Sequence, residues 1–515
     1  MTAAGSRAGD GAWATALDQP TIRHRDAFVD GAWVGGDARF DVRDPATGAV
    51  LATVPDLDDA AVDRAIAAAD RAWAAWRARP APARGAILAA IAAAMRADEQ
   101  GLGALITAEN GKPRAEAVAE VRYAASFFEW FAGEAARIGG ELVPATRADQ
   151  RIVVTREPVG PCALITPWNF PAAMLARKLA PALAAGCTVV AKPAEQTPLT
   201  ALALAAIAHD VGVPAGVINV VTGDGARVGG RLLRDPRLRK ISFTGSTEVG
   251  RIVLGAAAAR IARVSCELGG NAPFVVLADA DIERAVAGAL IAKFRCGGQT
   301  CVAANRFLVA APVAEAFTAA LTAKAAALVV GHGSRPGVDL GPLIDDDGVA
   351  KMRRLCADAI ARGATVRLGP VPDGSTRLVA PVVLTGVTAA MALWREEIFA
   401  PVIAIATFGD GRDDAGDDDA AVAMANDTDA GLVAYVYSRD LERAARVAAR
   451  LDVGMVGINE GLVSTAQAPF GGVKASGYGR EGGRWGLDDY LAPKYVMTTL
   501  TPIAPPAALS PKATS

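Results

Sequence analysis

The sequence predicts an α/β protein with two doubly wound parallel-sheet domains. From Ile152 onward, short apolar runs alternate with helix-like segments such as Leu199 to His209. A second alternating series runs from Phe307 to Val456. Strands that alternate with helices in this way form parallel sheets whose two faces are both covered. At 515 residues the chain is also too long for one compact core, so two or three domains are expected.

The individual elements follow from local patterns. Before the alternation begins, Asp58 to Arg77 and Ala81 to Arg96 combine N-terminal capping residues or proline with good helix formers, which predicts two helices. The acidic run Asp410 to Asp419 is interpreted as a solvated loop. Strands are predicted at Cys162–Ile165, Thr188–Ala191, Val217–Val221, Lys240–Phe243 and Phe274–Leu277.

The chain ends and the cysteine usage indicate a cytoplasmic protein. Met1 to Gln19 lacks the apolar core of a signal peptide, so residues 1–25 are expected to be a disordered leader and 502–515 a flexible tail. The longest apolar run, Ala86 to Met95, would cover half a bilayer and predicts a buried helix instead of a membrane span. Six cysteines without a CxxC pair do not form a disulfide framework.

Composition excludes several functions. The chain is 52% hydrophobic and 21% charged with a formal net charge of −2, so no field favours nucleic acid or an anionic membrane. The three histidines lack partners at ligand spacing, and no metal site is expected. The chemistry must therefore depend on cysteine, on carboxylates and on a cofactor.

Cys301 is the candidate nucleophile. Asp281 can cap a helix that Gly297 and Gly298 end, which places Cys301 on a loop at a domain edge. A free cysteine is more often a small buried hydrophobe, as Cys187 is expected to be, but the flanking glycines favour catalysis here.

Two more polar side chains follow predicted strands. Glu267 stands at a strand end before two glycines, where a partly desolvated carboxylate can act as a general base. The alternative is a solvent-exposed edge residue. Asn169 is held between two prolines in a loop, where its amide can donate to an oxyanion, or can merely satisfy loop backbone.

Two further segments that follow strands suit a dinucleotide. After Phe243, Gly245 permits a tight turn and Ser246 can cap the next helix. The N-terminus of that helix would be a suitable phosphate-binding site. The segment from Lys192 to Glu195 also follows a strand. Neither segment is a GxGxxG motif, and each alone is weak evidence for a dinucleotide-binding site.

Together these segments resemble the aldehyde dehydrogenase superfamily, from about Asp30 to Lys494. Five motifs occur in the family's order and spacing. They are Thr166-Pro167-Trp168-Asn169-Phe170-Pro171, Phe243-Thr244-Gly245-Ser246, Glu267-Leu268-Gly269-Gly270, Gly298-Gln299-Thr300-Cys301 and Glu396-Glu397-Ile398-Phe399. The resemblance implies the family's fold: a cofactor domain, a catalytic domain and a strand-rich oligomerisation arm.

The resemblance also implies the mechanism. Cys301 would attack the aldehyde carbon, and the oxyanion would rest on the Cys301 backbone N–H and the Asn169 amide. Hydride transfer to a nicotinamide would leave a thioester, which Glu267 would clear by activating water. Lys178 and Glu481 resemble the family's proton-exit residues, although a surface or helix-end role is also open.

The cofactor assignment comes from the resemblance as well. NAD is expected over NADP, because a carboxylate at Glu195 would accept from both ribose hydroxyls and repel a 2′-phosphate; NADP remains a second cofactor. By resemblance, Lys192 and Glu195 would contact the adenine ribose, Trp168 and Ser246 would lie near the pyrophosphate, Glu397 would hold the nicotinamide ribose, and Gly245, Leu268 and Phe399 would complete the site.

Substrate residues are implied by the succinate-semialdehyde dehydrogenase branch, which the chain resembles at three positions. Arg177, Arg295 and Ser464 would grip the distal carboxylate of a small semialdehyde. Either arginine can instead make an internal ion pair. One extra methylene is worth only about 1–3 kcal/mol in a pocket, so glutarate semialdehyde or another aldehyde stays open.

Two positions depart from the family pattern. Some members of the branch have a second cysteine that takes part in a redox switch, and Ala303 stands at that position here. A redox switch is therefore expected only if Cys296 takes the place of that cysteine. Ala400 stands where glycine is usual, and its methyl group is expected to shift the loop that carries Glu397 and Phe399.

The predicted domain boundaries follow the family arrangement. Residues 26–143 and 159–272 form the NAD-binding domain, 273–475 the catalytic domain, and 144–158 with 488–501 the arm that pairs protomers into a homodimer or homotetramer. A cysteine hydrolase without nicotinamide is the rival from another class, disfavoured because no partner histidine is evident.

Overall fold

The computed structural model describes residues 24–410 and 412–500. All but the last two residues of the predicted leader, and the whole predicted tail, lie outside the described residues. Within these two ranges no helix is both long enough and apolar enough to cross a membrane.

The strands of the described chain carry numbers in chain order. They are β1 (Ala27–Val29), β2 (Ala32–Val34), β3 (Arg39–Arg43), β4 (Val50–Pro55), β5 (Glu141–Val143), β6 (Gln150–Pro158), β7 (Cys162–Ile165), β8 (Val189–Lys192), β9 (Ile218–Val220), β10 (Lys240–Thr244), β11 (Arg263–Glu267), β12 (Ala272–Val276), β13 (Ala304–Ala310), β14 (Thr365–Leu368), β15 (Val382–Thr385), β16 (Val402–Phe408), β17 (Ala430–Gly431), β18 (Val433–Tyr437), β19 (Met455–Ile458), β20 (Val473–Lys474), β21 (Gly477–Tyr478) and β22 (Leu491–Thr499).

The helices are numbered in the same way. They are α1 (Asp59–Ala78), α2 (Ala81–Ala97), α3 (Glu99–Asn110), α4 (Arg114–Ala135), α5 (Pro171–Ala185), α6 (Pro198–Asp210), α7 (Gly225–Arg234), α8 (Thr247–Ala258), α9 (Ile282–Phe294), α10 (Ala311–Ala326), α11 (Asp346–Ala361), α12 (Ala392–Arg395), α13 (Asp414–Asn426), α14 (Leu441–Ala448) and α15 (Trp485–Asp488).

Two largely parallel sheets organise these elements. The first has the strand order β2-β1-β9-β8-β7-β10-β11-β21, and β9, β8, β7, β10 and β11 run parallel. The second has the order β14-β15-β16-β13-β12-β18-β19, in which only β14 is antiparallel to its neighbour among the described strands. The predicted parallel α/β architecture is confirmed.

Both faces of each sheet are buried, as the continuous apolar runs indicated. In β7, Leu164 packs into one hydrophobic cluster and Ala163 into another on the opposite face. In β12, Val275 and Val276 divide in the same way between two clusters. Because successive side chains of a strand point to opposite faces, this division shows that helices cover each sheet on both sides.

A third, antiparallel sheet lies apart from the two parallel ones. Its strand order is β22-β6-β5, and Tyr495 pairs with Val154 in its register. The predicted arm segments contain β6 and β22, while β5 precedes the first of them. Leu142 is 80% exposed and Tyr495 68% exposed, so this sheet presents apolar side chains to its surroundings.

The prediction of a loop from Asp410 to Asp419 is wrong for the second half of this segment. Helix α13 begins at Asp414, and the Asp413 carboxylate accepts from the backbone N–H of Ala415. Asp418 is buried and lies 2.7 Å from Nη2 of Arg443 on α14. An arginine distant in sequence therefore supplies the counter-charge that makes burial of an acidic segment tolerable.

Candidate active site

Three parallel strands of the first sheet, β7, β10 and β11, end at one edge, and the segments that follow them line a cleft. Open α/β sheets bind their ligands beyond the carboxyl ends of the strands, which is where this cleft lies. The cleft has a volume of about 320 Å³. The predicted site residues that line it are Trp168, Asn169, Gly245, Ser246, Glu267, Leu268, Cys301, Glu397 and Phe399.

Cys301 lines both this cleft and a much smaller cavity, so it lies where the two meet. Its side chain is half-buried. Helix α9 starts at the predicted cap, since the Asp281 carboxylate accepts from the backbone N–H of Arg284. The helix ends at Phe294, earlier than the glycines had suggested, and a 3-10 turn over Arg295–Gly298 leads to the cysteine.

The side chain of Gln299 holds this turn in place. Its Nε2 donates to the Cys296 carbonyl oxygen at 2.9 Å, and its Oε1 accepts from the Ile344 backbone N–H at 2.9 Å. Within the turn Cys296, Gly297 and Gly298 have positive φ, with values of 50°, 63° and 80°. The loop is thereby positioned by hydrogen bonds on both sides of the thiol.

The thiol is electrostatically disfavoured as a thiolate. Burial raises the pKa of Cys301 to about 12, the carboxylates of Glu397 and Glu267 act in the same direction, and Arg177 opposes them. Cys301 is therefore protonated near neutral pH. No histidine lines the cleft or the smaller cavity in the described part of the chain, so an imidazole does not take the proton.

Asn169 is buried beside the cysteine loop. Its Nδ2 donates to the backbone carbonyl oxygen of Gln299 at 2.9 Å, and its Oδ1 has no hydrogen-bond partner. One amide hydrogen of Asn169 is thus donated to the loop backbone, which is the structural role that the sequence had left open. The second remains available for an oxygen at Cys301, so both interpretations of this residue are compatible with its geometry.

Glu267 ends β11 and is only 2% exposed. Neither carboxylate oxygen has a hydrogen-bond partner. Burial raises the pKa of Glu267 well above its usual value, Glu481 acts in the same direction, and Arg177 opposes them. The solvent-exposed alternative is wrong, and the carboxyl group is in the kind of environment that favours proton uptake.

Arg177, Lys178 and Glu481 form one buried cluster. Arg177 Nε lies 2.7 Å from Glu481 Oε2, and Lys178 Nζ donates to Glu481 Oε1 and, at 3.1 Å, to Ser242 Oγ. Lys178 has 0% exposure and Glu481 4%. A surface or helix-end role for these two residues is therefore wrong. The ion-pair alternative holds for Arg177.

Arg295 differs from Arg177 in this respect. Among the described residues no carboxylate lies within 4.0 Å of its guanidinium. Its Cζ lies 5.3 Å from the centre of the Phe170 ring. Arg177, Arg295 and Ser464 all line the smaller cavity together with Cys301. The three predicted substrate residues are thus brought together, although one of the two charges is already partnered.

At the other side of the cleft the predicted cofactor residues separate into two groups. Ser246 caps α8, since its hydroxyl accepts from the Val249 backbone N–H. Glu397 Oε1 accepts from the Gly270 N–H at 3.0 Å, and burial raises its pKa to about 7. The rings of Trp168 and Phe399 meet edge-on at 5.7 Å.

Lys192 and Glu195 do not line this cleft and form the second group. Lys192 Nζ and Glu195 Oε1 are 3.3 Å apart at the end of β8. A Cβ added at Gly225 would come within 2.8 Å of Glu195 Oε1, so the first residue of α7 must be small for the carboxylate to sit there. Strand β8 pairs with β7, so Lys192 and Glu195 lie at the end of a strand adjacent to the one whose end borders the cleft.

Sequence reasoning missed the residues that support the Asn169 loop. Lys112 Nζ donates to the Asn169 carbonyl oxygen at 2.7 Å and to Glu120 at 2.6 Å, and Asn110 Nδ2 donates to the Trp168 carbonyl oxygen at 3.0 Å. Lys112 and Glu120 are both buried. The available signal was a cluster of polar residues around a helix-terminating glycine, at Glu109-Asn110-Gly111-Lys112.

The two departures from the family pattern have structural consequences. Cys296 is 2% exposed, and its Sγ donates to the Asn169 carbonyl oxygen at 3.4 Å and to Asn110 Oδ1 at 3.6 Å. Ala400 is 1% exposed within a hydrophobic cluster, while its neighbour Phe399 takes the positive φ of 56°. The backbone at position 400 itself therefore does not need glycine.

The described residues offer no evident metal-binding site. Within residues 24–410 and 412–500, no group of three or more His, Cys, Asp or Glu side chains is arranged to hold a metal ion. The arrangement instead offers a thiol, a desolvated carboxyl group and an amide donor around one point, beside a cleft at a parallel-sheet edge. That combination is what an enzyme that acts through a covalent thiol adduct would require.

Known proteins are similar to this chain over most of its length. The sequence pattern of the aldehyde dehydrogenase family matches residues 33–496. The chain is 48% identical over 483 residues to the glutarate-semialdehyde dehydrogenase of Pseudomonas putida, covering 93% of this chain and 99% of that relative. It is also 48% identical over 484 residues to an NADP⁺ succinate-semialdehyde dehydrogenase of Escherichia coli, covering 93% and 99%.

A solved structure shares the fold. The crystal structure of an aldehyde dehydrogenase from Brucella melitensis biovar abortus 2308 superposes with a TM-score of 0.91 at 45% identity, covering 94% of this chain and 99% of that one. The chain belongs to the aldehyde dehydrogenase family. It is an oxidoreductase with that family's α/β fold.

Proposed function

We propose that this enzyme oxidises a small aldehyde whose far end carries a carboxylate, with succinate semialdehyde as the best candidate and NAD as the preferred cofactor. The observation that carries the proposal is the position of Cys301. It lies at the junction of a large cleft and a small cavity that contains Arg295. An aldehyde carbon at the sulfur would leave its tail in the cavity.

The first half of the reaction takes place on the thiol. The Cys301 S–H bond breaks as the sulfur bonds to the aldehyde carbon, the thiol proton passes to water, and the carbonyl oxygen becomes an oxyanion. The free amide hydrogen of Asn169, with the Cys301 backbone N–H, stabilises that charge. Removing one such donor typically costs about 10²–10³-fold in rate. Hydride loss from the same carbon then leaves a thioester on Cys301.

The second half depends on Glu267. Its buried carboxyl group, free of hydrogen-bond partners, takes a proton from water as that water attacks the thioester carbon. The carbon–sulfur bond breaks, the acid product leaves and the thiol is restored. We assign the proton's exit route to Lys178 and Glu481, since Glu481 raises the pKa of Glu267 and is hydrogen-bonded to Lys178.

The cleft suits a dinucleotide. The capped N-terminus of α8 offers backbone N–H groups to a phosphate, and Gly245 before it keeps the approach open. Trp168 would lie near the pyrophosphate, Glu397 would hold the nicotinamide ribose with Leu268 and Phe399 beside it, and Lys192 and Glu195 would contact the adenine ribose. When bound, the nicotinamide supplies the acceptor for the aldehyde's hydride. A negative charge at Glu195 would disfavour a 2′-phosphate, which supports NAD over NADP.

The tail carboxylate is assigned to Arg295 and Ser464, with Arg177 as a second positive charge. Arg295 has no carboxylate within 4.0 Å among the described residues, so it would gain a charge-assisted contact when substrate binds. Glutarate semialdehyde is the second candidate, favoured by the resemblance to the Pseudomonas putida enzyme. One methylene discriminates by only about 1–3 kcal/mol, and kinetics must decide.

Steady-state kinetics test the proposal. Succinate semialdehyde, glutarate semialdehyde and butanal are each supplied with NAD and with NADP, and the near-ultraviolet absorbance of reduced nicotinamide is followed. We expect the acid-tailed aldehydes to have the higher kcat/KM and Cys301→Ser to abolish the signal. If the Cys301→Ser variant still reduced the nicotinamide cofactor at an undiminished rate, the mechanism would be refuted. A preference for butanal would refute the substrate class.

The assembly and the domain limits remain part of the proposal. We infer that the sheet β22-β6-β5 pairs protomers in a homodimer or homotetramer, because exposed apolar side chains such as Leu142 need a cover. We assign residues 26–143 and 159–272 to the cofactor domain and 273–475 to the catalytic domain. Analytical ultracentrifugation at several concentrations measures the assembly. A cytoplasmic location agrees with the six free thiols.

A further inference from the structure

The small cavity beside Cys301 contains a polar group that the proposed mechanism does not use. Tyr123, on α4, lines this cavity. Its hydroxyl oxygen is buried and forms no well-aligned hydrogen bond at 3.5 Å or less, although Ser464 is close enough to lower the pKa of the phenol. A buried hydroxyl without a well-formed hydrogen bond costs about 1–3 kcal/mol, so a bound ligand that accepts from it would recover that free energy.

The walls of the cavity combine apolar side chains with two arginines that lie against aromatic rings. Phe170, Met174 and Phe470 are the apolar lining residues. Arg177 Cζ lies 3.8 Å from the centre of the Phe470 ring, and Arg295 Cζ lies 5.3 Å from that of Phe170. Each guanidinium therefore lies against an aromatic ring, which restricts its orientation.

The electrostatics around the Tyr123 hydroxyl favour an anion. Arg177 is paired with Glu481, but its Nη2 has no hydrogen-bond partner, and Arg295 has no ion-pair partner among the described residues. Burial raises the pKa of the Tyr123 phenol, while Arg177 and Arg295 lower it. The phenol therefore keeps its proton and stays a donor at neutral pH.

The cavity thus presents more donors than one arginine and one serine. Ser464 lines it as well and interacts with the Tyr123 hydroxyl. A carboxylate accepts about four hydrogen bonds, so two or three donors from different elements can be satisfied at once. Tyr123 comes from α4, Arg295 from the turn before Cys301, and Ser464 from the loop after β19.

We propose that the Tyr123 hydroxyl donates a hydrogen bond to the distal carboxylate of the substrate, and so helps to select acid-tailed aldehydes. This inference rests on the proposed function, because it names a further contact for the same tail. The contact would be made on binding, with Arg295 and Ser464 at the other lone pairs. Tyr123 then acts as a specificity residue and takes no part in the chemical steps at Cys301.

Tyr123→Phe tests this assignment, because it removes only the hydroxyl and keeps the ring. The measured quantity is the ratio of kcat/KM for succinate semialdehyde to kcat/KM for butanal, which has the same carbon chain without the carboxylate. We expect the ratio to fall about 10-fold to 100-fold, the range for a lost hydrogen bond to a charged group. Tyr437→Phe, which removes a hydroxyl from another buried tyrosine, should leave the ratio unchanged.

A binding measurement complements the kinetics. Succinate should slow the alkylation of Cys301 by iodoacetamide in the wild-type enzyme, and about tenfold more succinate should be needed in Tyr123→Phe. A ratio within twofold of wild type, with unchanged protection, would overturn the assignment of Tyr123 alone. If the wild-type enzyme itself shows no preference for the acid over butanal, the proposed substrate class and this inference both fail.

Discussion

Arg177 Nε lies 2.7 Å from Glu481 Oε2, and both side chains are buried. The pair joins a residue assigned to the substrate tail with one assigned to proton exit. Arg177 therefore has a structural task that Arg295, which has no ion-pair partner within the described residues, does not have. The two arginines of the same cavity are expected to respond differently to substitution.

Arg177→Met should destabilise the protein by about 3 kcal/mol, since removing one partner of a buried ion pair leaves the other charge poorly compensated. Arg295→Met should cost less than about 1 kcal/mol, because no pair is broken. Denaturant unfolding compares the two variants with wild type. Equal losses of stability would contradict the contrast. Arg295→Met should instead lose most of the preference for the acid-tailed aldehyde.

Alkylation of Cys301 should depend steeply on pH. Its pKa is raised to about 12, and only the thiolate reacts, so the thiolate fraction increases as pH rises toward that value. Between pH 7 and pH 9 the rate with iodoacetamide should rise about tenfold per pH unit. Mass spectrometry of the labelled peptide identifies the site, as the other described cysteines are buried. A rate that levels off near pH 8 would contradict this prediction.

Glu267→Gln should separate the two halves of the reaction. Acylation does not need the carboxylate, so one equivalent of reduced nicotinamide should appear per active site, and later turnover should be slowed about 10²–10⁴-fold. Stopped-flow absorbance measures both phases. Turnover at the wild-type rate would exclude Glu267 as the base.

The raised pKa of Glu267 also predicts a pH profile for the wild-type enzyme. A carboxyl group with a raised pKa is protonated at low pH and becomes the active base only as pH rises through that value. The steady-state rate, where deacylation limits it, should therefore increase with pH above the usual range of glutamate. A flat profile through that range would place the limiting step elsewhere.

Cofactor choice should respond to Glu195. Glu195→Gln removes the charge that would repel a 2′-phosphate, so KM for NADP should fall about tenfold relative to KM for NAD. The half-exposed position of the carboxylate limits the size of the effect. Asp210→Asn, at the opposite end of α6, provides the matched control and should change neither constant. An unaltered ratio in Glu195→Gln would remove the basis for preferring NAD.

Local patterns predicted much of the architecture. The strand Cys162–Ile165 occurs with its predicted bounds, and Asp58, Ser246 and Asp281 cap helices because a side-chain oxygen can satisfy a backbone N–H a few residues on. The acidic run at Asp410 was misjudged, because its counter-charge at Arg443 lies on a different helix. Patterns of period two or 3.6 carry no information about such a partner.

The sequence by itself determined the fold class and the set of chemical groups, because strand and helix periodicity, capping residues and motif order are all local properties of the chain. Only the tertiary structure decided which arginine of the small cavity is paired, that Lys178 reaches Glu481 across 303 residues, and that Lys112 supports the Asn169 loop. Those outcomes depend on burial and on distances between segments. Both arise when the sheets are assembled and water is displaced, so no single stretch of sequence contains them.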